Sequence, residues 1–415
     1  MQGKDIINST FFQLFKPILN EKFLTALNIM DADKYVKKLK TTQLLKLLII
    51  SQLEQHRGLR DISNSLKNDE LSKHISLNSI SSAQLSRRLR DLPVEITETL
   101  FKTIYQEALV KLGVNTLTQN LGGVHLIDST TISLCLSRYP WALFRKTKGG
   151  IKLHLRIKFV KDEILPDKSI VTQANLNDRR QMDNLIVEEK DALNIMDRGY
   201  VDYKKFDSYC ADGVSFICRL KKNAIVEIIE EKAVKPDSNI IKEQIVYLGK
   251  DNITKMKHPL RLLEILDSKG KTIVIITNQF ELDSEEISTL YRSRWQIELF
   301  FKWIKQHLKV KHFYGLSQNA VKNQLLIALI TYCLLTILKI KAGYHGNLLK
   351  IKRLLHTCLY DSFQLFIKKL LYKEINYSKG RRRRANDLIY EIIERQVMSK
   401  EADHLDDLTY DPLVY

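Results

Sequence analysis

Residues 290–310, LYRSRWQIELFFKWIKQHLKV, set one carboxylate among cations at helical spacing. At about 100° per residue with Tyr291 at zero, Arg294 falls at −60°, Glu298 at −20°, Lys305 at −40°, Lys302 at +20° and Lys309 at 0°. Leu290, Ile297, Phe301, Ile304 and Leu308 form a neighbouring apolar stripe, which would anchor the helix in a core and turn its basic face to a groove. A lone acid amid bases is what a site for metal and phosphate needs. The same spacing also gives Arg294–Glu298 and Glu298–Lys302 ion pairs on a solvated face, each worth about 0.2–0.5 kcal/mol. Two more acids stand out by context: Asp128 closes the apolar run VHLID and Asp197 closes ALNIMD. Each alone is an ordinary turn former at a strand end. Brought together with Glu298 they would be hard oxygen ligands suited to two Mg²⁺ or Mn²⁺ ions, an arrangement that serves phosphodiester chemistry.

The elements that must position these acids can be read from periodicity. Residues 11 to about 113 are helical in pattern, with LLKLLIISQL as the most apolar segment. RGLRDISNSL follows Gly58, and a second helix starts at Ser82 behind Ser81-Ser82-Ala83-Gln84, which has the spacing of a capping box. Arg87, Arg88 and Arg90 lie on that helix, so the pair fits a helix-turn-helix that places residues 82–92 in a DNA groove, or a small bundle with a basic surface. After Gly122-Gly123 the period changes. VHLID reads as one strand and residues 130–136 as a second; IKLHLRIKFV alternates strictly, with one apolar face and one basic face of Lys152, His154, Arg156 and Lys158. A helical stretch over 180–190 leads to the strand ALNIM and Asp197. Residues 215–279 contain five strand-like runs and read as an inserted sheet, after which helix resumes at Ser284.

The joint pattern resembles a known family. Tyr291-x₂-Arg294-x₃-Glu298-x₆-Lys305 looks like the Y-R-E-K signature of DDE transposases of the insertion-sequence IS-four group. IDST at 127–130 resembles the first-Asp motif, MDRGY at 196–200 the second, and KLHLRI at 152–157 the strand between them; FFQLF at 11–15 and RGLRDI resemble the amino-terminal region of one branch. The resemblance runs to about Lys341. It implies an α/β RNase H-like catalytic core with a β-rich insertion, preceded by an N-terminal helical DNA-binding region. It also implies a catalytic and metal-binding triad of Asp128, Asp197 and Glu298, with Tyr291, Arg294 and Lys305 on DNA phosphates. Lys302 shares the basic stripe, and Trp295, at about +40° on the same helix, could stack on an unpaired base or fill a core. The implied substrates are double-stranded DNA, both the terminal inverted repeats of an element and its target. The implied reaction is cleavage and strand transfer of the cut-and-paste type by a homodimer in a synaptic complex, with hairpin ends a common route of excision.

Composition agrees with an anionic partner and narrows the class. The formal charge of +18, with 66 Lys and Arg against 48 Asp and Glu, fits nucleic acid or an acidic membrane surface. The longest apolar run, 325–338, is shorter than the roughly 20 residues that span a bilayer and reads as a buried helix, so no membrane partner is expected. No secretory signal pattern is seen and a cytoplasmic location on bacterial DNA is expected. Five scattered cysteines without a CxxC pair fit neither a disulfide framework nor a zinc site. The expected domains are 1–118 (helical, DNA-binding), 119–214 (first part of the core), 215–283 (β-rich insertion), 284–345 (second part) and 346–415 (basic and helical, including KGRRRRAN at 379–386). A non-catalytic regulator, or an inactive transposase occupying the element ends, would share the charge and the helices but not metal-dependent cleavage.

Overall fold

In the computed structural model, residues 8–113, 123–160, 163–235, 238–250, 253–266 and 271–372 are described. The basic run at 379–386 lies outside them. Among the described residues, seven α-helices come first: α1 (Thr10–Phe15), α2 (Glu21–Ile29), α3 (Thr41–Glu54), α4 (Leu59–Ser65), α5 (Asp69–Ile75), α6 (Ser82–Asp91) and α7 (Val94–Leu112). Strands β1 (Gly123–Leu134), β2 (Leu143–Arg145), β3 (Lys148–Val160) and β4 (Glu163–Gln173) follow, then α8 (Met182–Leu185), β5 (Ala192–Met196), α9 (Tyr203–Asp212) and β6 (Ser215–Arg219). The chain continues with β7 (Val226–Lys232), β8 (Ile240–Leu248), β9 (Leu260–Leu266) and β10 (Thr272–Thr277). It closes on α10 (Ser284–Arg292), α11 (Trp295–His307), α12 (Gln318–Lys341), α13 (Leu348–Cys358) and α14 (Phe363–Leu371).

One ten-stranded sheet organises the molecule, in the order β2-β3-β1-β5-β6-β10-β9-β8-β7 with β4 beside β3. β1, β3 and β4 are an antiparallel meander, whereas β5 runs parallel to β1 and β6 parallel to β5. Gly213, at φ +72°, supplies the left-handed residue that ends α9 and turns the chain into β6. β10 pairs antiparallel to β6, so the strands of the expected insertion extend the same sheet, and β6 itself belongs to its parallel centre.

Alternation along the central strands assigns two faces. Leu126, Leu193, Ile195, Ile217 and Ile275 join one core cluster; Ile127, Met196, Phe216, Cys218 and Ile276 join the other. The first cluster also holds the N-terminal helices, α11 and α12, so the helical region and the sheet share a continuous core. α12 is its axis, packed by α7, α3 and β4. By length and apolar composition α12 could cross a membrane, but 89% of its most apolar stretch is buried inside the protein, as read from its sequence. α13 and α14 fold back against α3 and α1, and the backbone of Thr10 and Phe11 donates to the carbonyls of Asp361 and Leu359.

Several local expectations change. β1 is a single strand, because β3 pairs with it from Val124 to Leu134; Asp128 therefore sits mid-strand, where burial stops and not where the strand does. Residues 180–190 form only a short 3-10 turn and the four-residue α8. Between α4 and α6 lies a further helix, α5, so the expected two-helix unit is a three-helix one in sequence, although α4 and α6 do pack together. The capping box at Ser81 and Gln84 is present, with Ser81 Oγ accepting from the Gln84 amide at 3.2 Å and Gln84 Oε1 accepting from the Ser81 amide at 3.1 Å.

Candidate active site

Asp128 follows Val124 and Leu126 on β1, and Asp197 follows Leu193 and Ile195 off the end of β5. The parallel register that sets Ile127 opposite Met196 puts the two acids side by side on one face of the sheet. α11 packs on β1 from that face, with Ile297, Phe300 and Phe301 in the shared core. Glu298 projects from its first turn. Arg294 links the groups: Nη1 is 3.3 Å from Asp128 Oδ2 and Nη2 is 3.0 Å from Glu298 Oε1.

The helix expected over 290–310 is broken. Ser293 Oγ donates to the Leu290 carbonyl at 2.6 Å, and the amides of Arg294, Gln296 and Ile297 reach back only three residues. Such a turn advances about 120° per residue and not 100°, so the azimuths on either side of Ser293 no longer belong to one helix. Tyr291, Arg294 and Trp295 face inward, each 3–4% exposed. The Arg294 guanidinium lies 5.8 Å from the ring centres of both Tyr291 and Trp295. Trp295 is thus packed in the core, and Arg294 directs donors to the carboxylates of Asp128 and Glu298. Lys302 and Lys305 stay half-exposed further along α11, while Lys309 lies past its end, since the chain is extended at Leu308.

Electrostatics explain why a cation suits this place. Burial, with the Glu298 and Asp197 charges added, pushes the Asp128 carboxyl up to about 8, against the opposing pull of Arg294. Burial works against the Arg294 charge, but Tyr291, Glu298, Asp128 and Asp197 hold the guanidinium protonated well above its ordinary range. One guanidinium does not balance the three carboxyl groups once all are ionised, and that deficit is what a divalent ion with oxygen ligands would relieve. Among the described residues no three His, Cys, Asp or Glu side chains are already gathered closely enough to enclose an ion. The donor set fits hard divalent cations, with Arg294 set between Asp128 and Glu298.

A second polar cluster, which periodicity did not indicate, supports β1 from the opposite face. Asp178 Oδ1 accepts from Ser129 Oγ at 2.6 Å and from Lys152 Nζ at 3.1 Å, and lies 3.4 Å from His154 Nδ1. His154 pairs opposite Ser129 and is fully buried, and burial pushes its imidazole down to about 4. Three residues of the expected basic face of β3 are therefore engaged: Asp178 meets Lys152 and His154, and Asp167 receives Arg156 Nε at 2.9 and 3.0 Å. Asp178 lies in the polar run NLNDRRQ, where only its tertiary partners set it apart. Asp178→Ala is expected to cost about 1–2 kcal/mol in urea unfolding by leaving the partly buried Ser129 and Lys152 donors without this acceptor. Ser129→Ala should cost less, and equal stability of both variants would remove this supporting role.

The arginines of α6 divide. Arg87 is exposed, Arg90 pairs with the neighbouring Asp91 at 2.8 Å, and Arg88 turns back to Asp33 and Thr41 at 3.3 and 3.1 Å. Arg88 thus ties α6 to the start of α3.

Comparison with known proteins adds a decisive observation. A family model described as the transposase DDE domain matches residues 120–334, which contain all three acids and both joined helices. The chain belongs to this DDE transposase family. The N-terminal helices separately match a domain of unknown function, DUF4372, over residues 7–80. The y4zB transposase homologue of Sinorhizobium fredii is 33% identical over 57% of this chain and 67% of its own length. A transposase described for insertion sequence element IS5377 of Geobacillus stearothermophilus is 29% identical over 51% of this chain and 55% of its own. One described for insertion sequence element IS4SA of Synechocystis is 27% identical over 52% and 60%. The chain thus spans between about half and two thirds of the lengths of these relatives.

Proposed function

We propose that this DDE transposase is of the IS-four group and cuts the ends of an insertion sequence, then joins the freed 3′-hydroxyl to target DNA. The observation that carries the reading is the placement of Asp128 and Asp197 on adjacent parallel strands, on the face where α11 brings Glu298 within one guanidinium of Asp128. The strand order β4-β3-β1-β5-β6, three antiparallel and then two parallel, supports an RNase H-like core.

In this reading Asp128, Asp197 and Glu298 hold two Mg²⁺ or Mn²⁺ ions. When bound, these would polarise the scissile phosphodiester and make the attacking oxygen more nucleophilic. Arg294 sets the separation of the first and third acids, and Tyr291 and Trp295 pack around its guanidinium. Lys302 and Lys305 meet phosphates beside the cut and offset the charge that builds on phosphorus. Arg87 and Arg90 on α6 contact duplex DNA in the terminal inverted repeats, and two copies act together on paired ends.

The test is cleavage of a duplex carrying the inverted repeats that flank the coding region, with Mg²⁺ and with chelator. Asp128→Ala, Asp197→Ala and Glu298→Ala are each expected to lower the rate by at least about 10³-fold while retaining DNA binding. A variant within a few-fold of wild type loses its assignment. Wild-type binding without any metal-dependent cut would instead establish a non-catalytic occupant of the ends.

A further inference from the structure

A strongly basic cavity lies away from the carboxylates. A cleft of about 900 Å³ opens where the end of α3, the end of α11 and the outer side of α13 meet. Lys305, Lys309, Lys311, Lys352 and Arg353 line it, and Glu54 is the one carboxylate among its described lining residues. Glu54 is itself engaged by His56 Nε2 at 2.9 Å. The cleft is built and not a chance of loose side chains. Gln55 Nε2 donates to the Gln306 carbonyl at 2.9 Å, fixing α3 to α11, and Gln52 Oε1 accepts from the Lys309 amide. α13 closes the third side by packing on α3. Burial, together with the adjacent Arg353 charge, pushes the Lys352 ammonium down to about 8. Cations held this close repel one another, and a polyanion relieves the repulsion.

We infer that this cleft is a binding site for the phosphate backbone of duplex DNA, formed jointly by α11 and α13 and separate from the acids that face the sheet. The inference rests on the transposase reading for its choice of polyanion. The geometry selects DNA because α11 carries Glu298 in its first turn and Lys305 in its last. Seven residues at 1.5 Å each separate them by about 10 Å, and Lys309 lies beyond. Strand phosphates repeat about every 3.4 Å along the axis, so a backbone cut beside Glu298 would reach the cleft about three to five nucleotides away. The helices after residue 341, whose role the sequence leaves open, would then supply a wall of the DNA path through Lys352 and Arg353.

The experiment is equilibrium binding of a fluorescent duplex of about 30 base pairs and arbitrary sequence, without divalent metal, titrated over a range of KCl. Every phosphate that is no longer neutralised lowers the slope of log K against log salt by about 0.9. K309A/K352A/R353A is therefore expected to bind at least tenfold more weakly at low salt, with a slope smaller by about 2 to 3. The charge-retaining K309R/K352R pair should keep the wild-type slope, which separates missing charge from a disturbed fold. An unchanged affinity and slope in the triple variant, or an equal loss in the charge-retaining pair, overturns the proposal. Because binding is read without metal, absence of cleavage by the wild type would count against the transposase reading and leave this result legible.

Discussion

Arg294→Ala is expected to destabilise the metal-free protein by about 3–5 kcal/mol, the cost of removing one partner from a buried ion pair. The guanidinium is 3% exposed and bonded to both Asp128 and Glu298, so its removal leaves two carboxylates facing each other with Asp197 alongside. The protein can soften this by keeping Asp128 protonated, and that dictates the pH dependence. With Arg294 gone, the Asp128 carboxyl loses the charge that pulls its pKa down, so the penalty should be smaller at pH 6 than at pH 9. Arg294→Lys should recover little, because a single ammonium on a flexible stem does not span two acids as a planar fork does. Adding Asp128→Asn and Glu298→Gln to Arg294→Ala should restore most of the stability, since no uncompensated charge remains. Urea denaturation at both pH values measures all four proteins. A loss under about 1 kcal/mol in Arg294→Ala at pH 9 would mean that the ion pairs do not organise the site.

This dual role of Arg294 bears on how the region reads in the sequence. The spacing from Tyr291 to Lys305 singles out Arg294 and Glu298, which the fold joins to Asp128, yet the angles drawn from a single helix do not describe both sides of Ser293. The cause is local: one serine hydroxyl bonded to the Leu290 carbonyl tightens the chain at 293–294, with dihedrals still close to helical. Nothing in a hydrophobic period registers such a joint, because Ser, Arg and Trp are all tolerated in helices. Asp197 is legible because the run ALNIM ends where it begins, and all five residues of that run are buried. Asp128 is legible as the acid that ends a buried run, but its place in the middle of a strand is not. TTISL is polar enough to suggest a second element, whereas the partner strand β3 is what carries β1 through to Leu134.

The sheet shows the same division between local and non-local information. β7 to β10 are legible one by one from their Ile, Val and Leu content. That they continue the core sheet depends on β10 lying against β6, a pairing of residues such as Ile276 and Cys218 far apart in sequence. Asp178 is the extreme case. Its neighbours in the chain are polar, and its value comes wholly from Ser129, Lys152 and His154 on two strands.

Metal binding to this site is expected to release protons, most of them from one residue. With Asp128 held up to about 8 and ordinary carboxyls near 4, the group is largely protonated in the folded, metal-free protein at pH 7. A carboxylate ligand must be ionised, so loading Mg²⁺ or Mn²⁺ should displace close to one proton at pH 7 and almost none well above pH 9. The affinity should accordingly rise between pH 6 and pH 8 and then level off. The sign for folding runs the other way. A raised carboxyl pKa contributes stability that is full below the unfolded value near 4 and is lost progressively as the pH climbs through about 8. The metal-free protein should therefore weaken toward alkaline pH, on the order of a few kcal/mol for this group, and saturating Mg²⁺ should reverse the loss. Calorimetric titration with Mn²⁺ in buffers of different ionisation enthalpy counts the protons, and thermal unfolding with and without Mg²⁺ follows the stability. Asp128→Asn should abolish both the proton release and its share of the alkaline weakening, even if some ion still binds through Asp197 and Glu298. Proton release that persists undiminished in that variant would move the shifted group elsewhere and detach Asp128 from the metal.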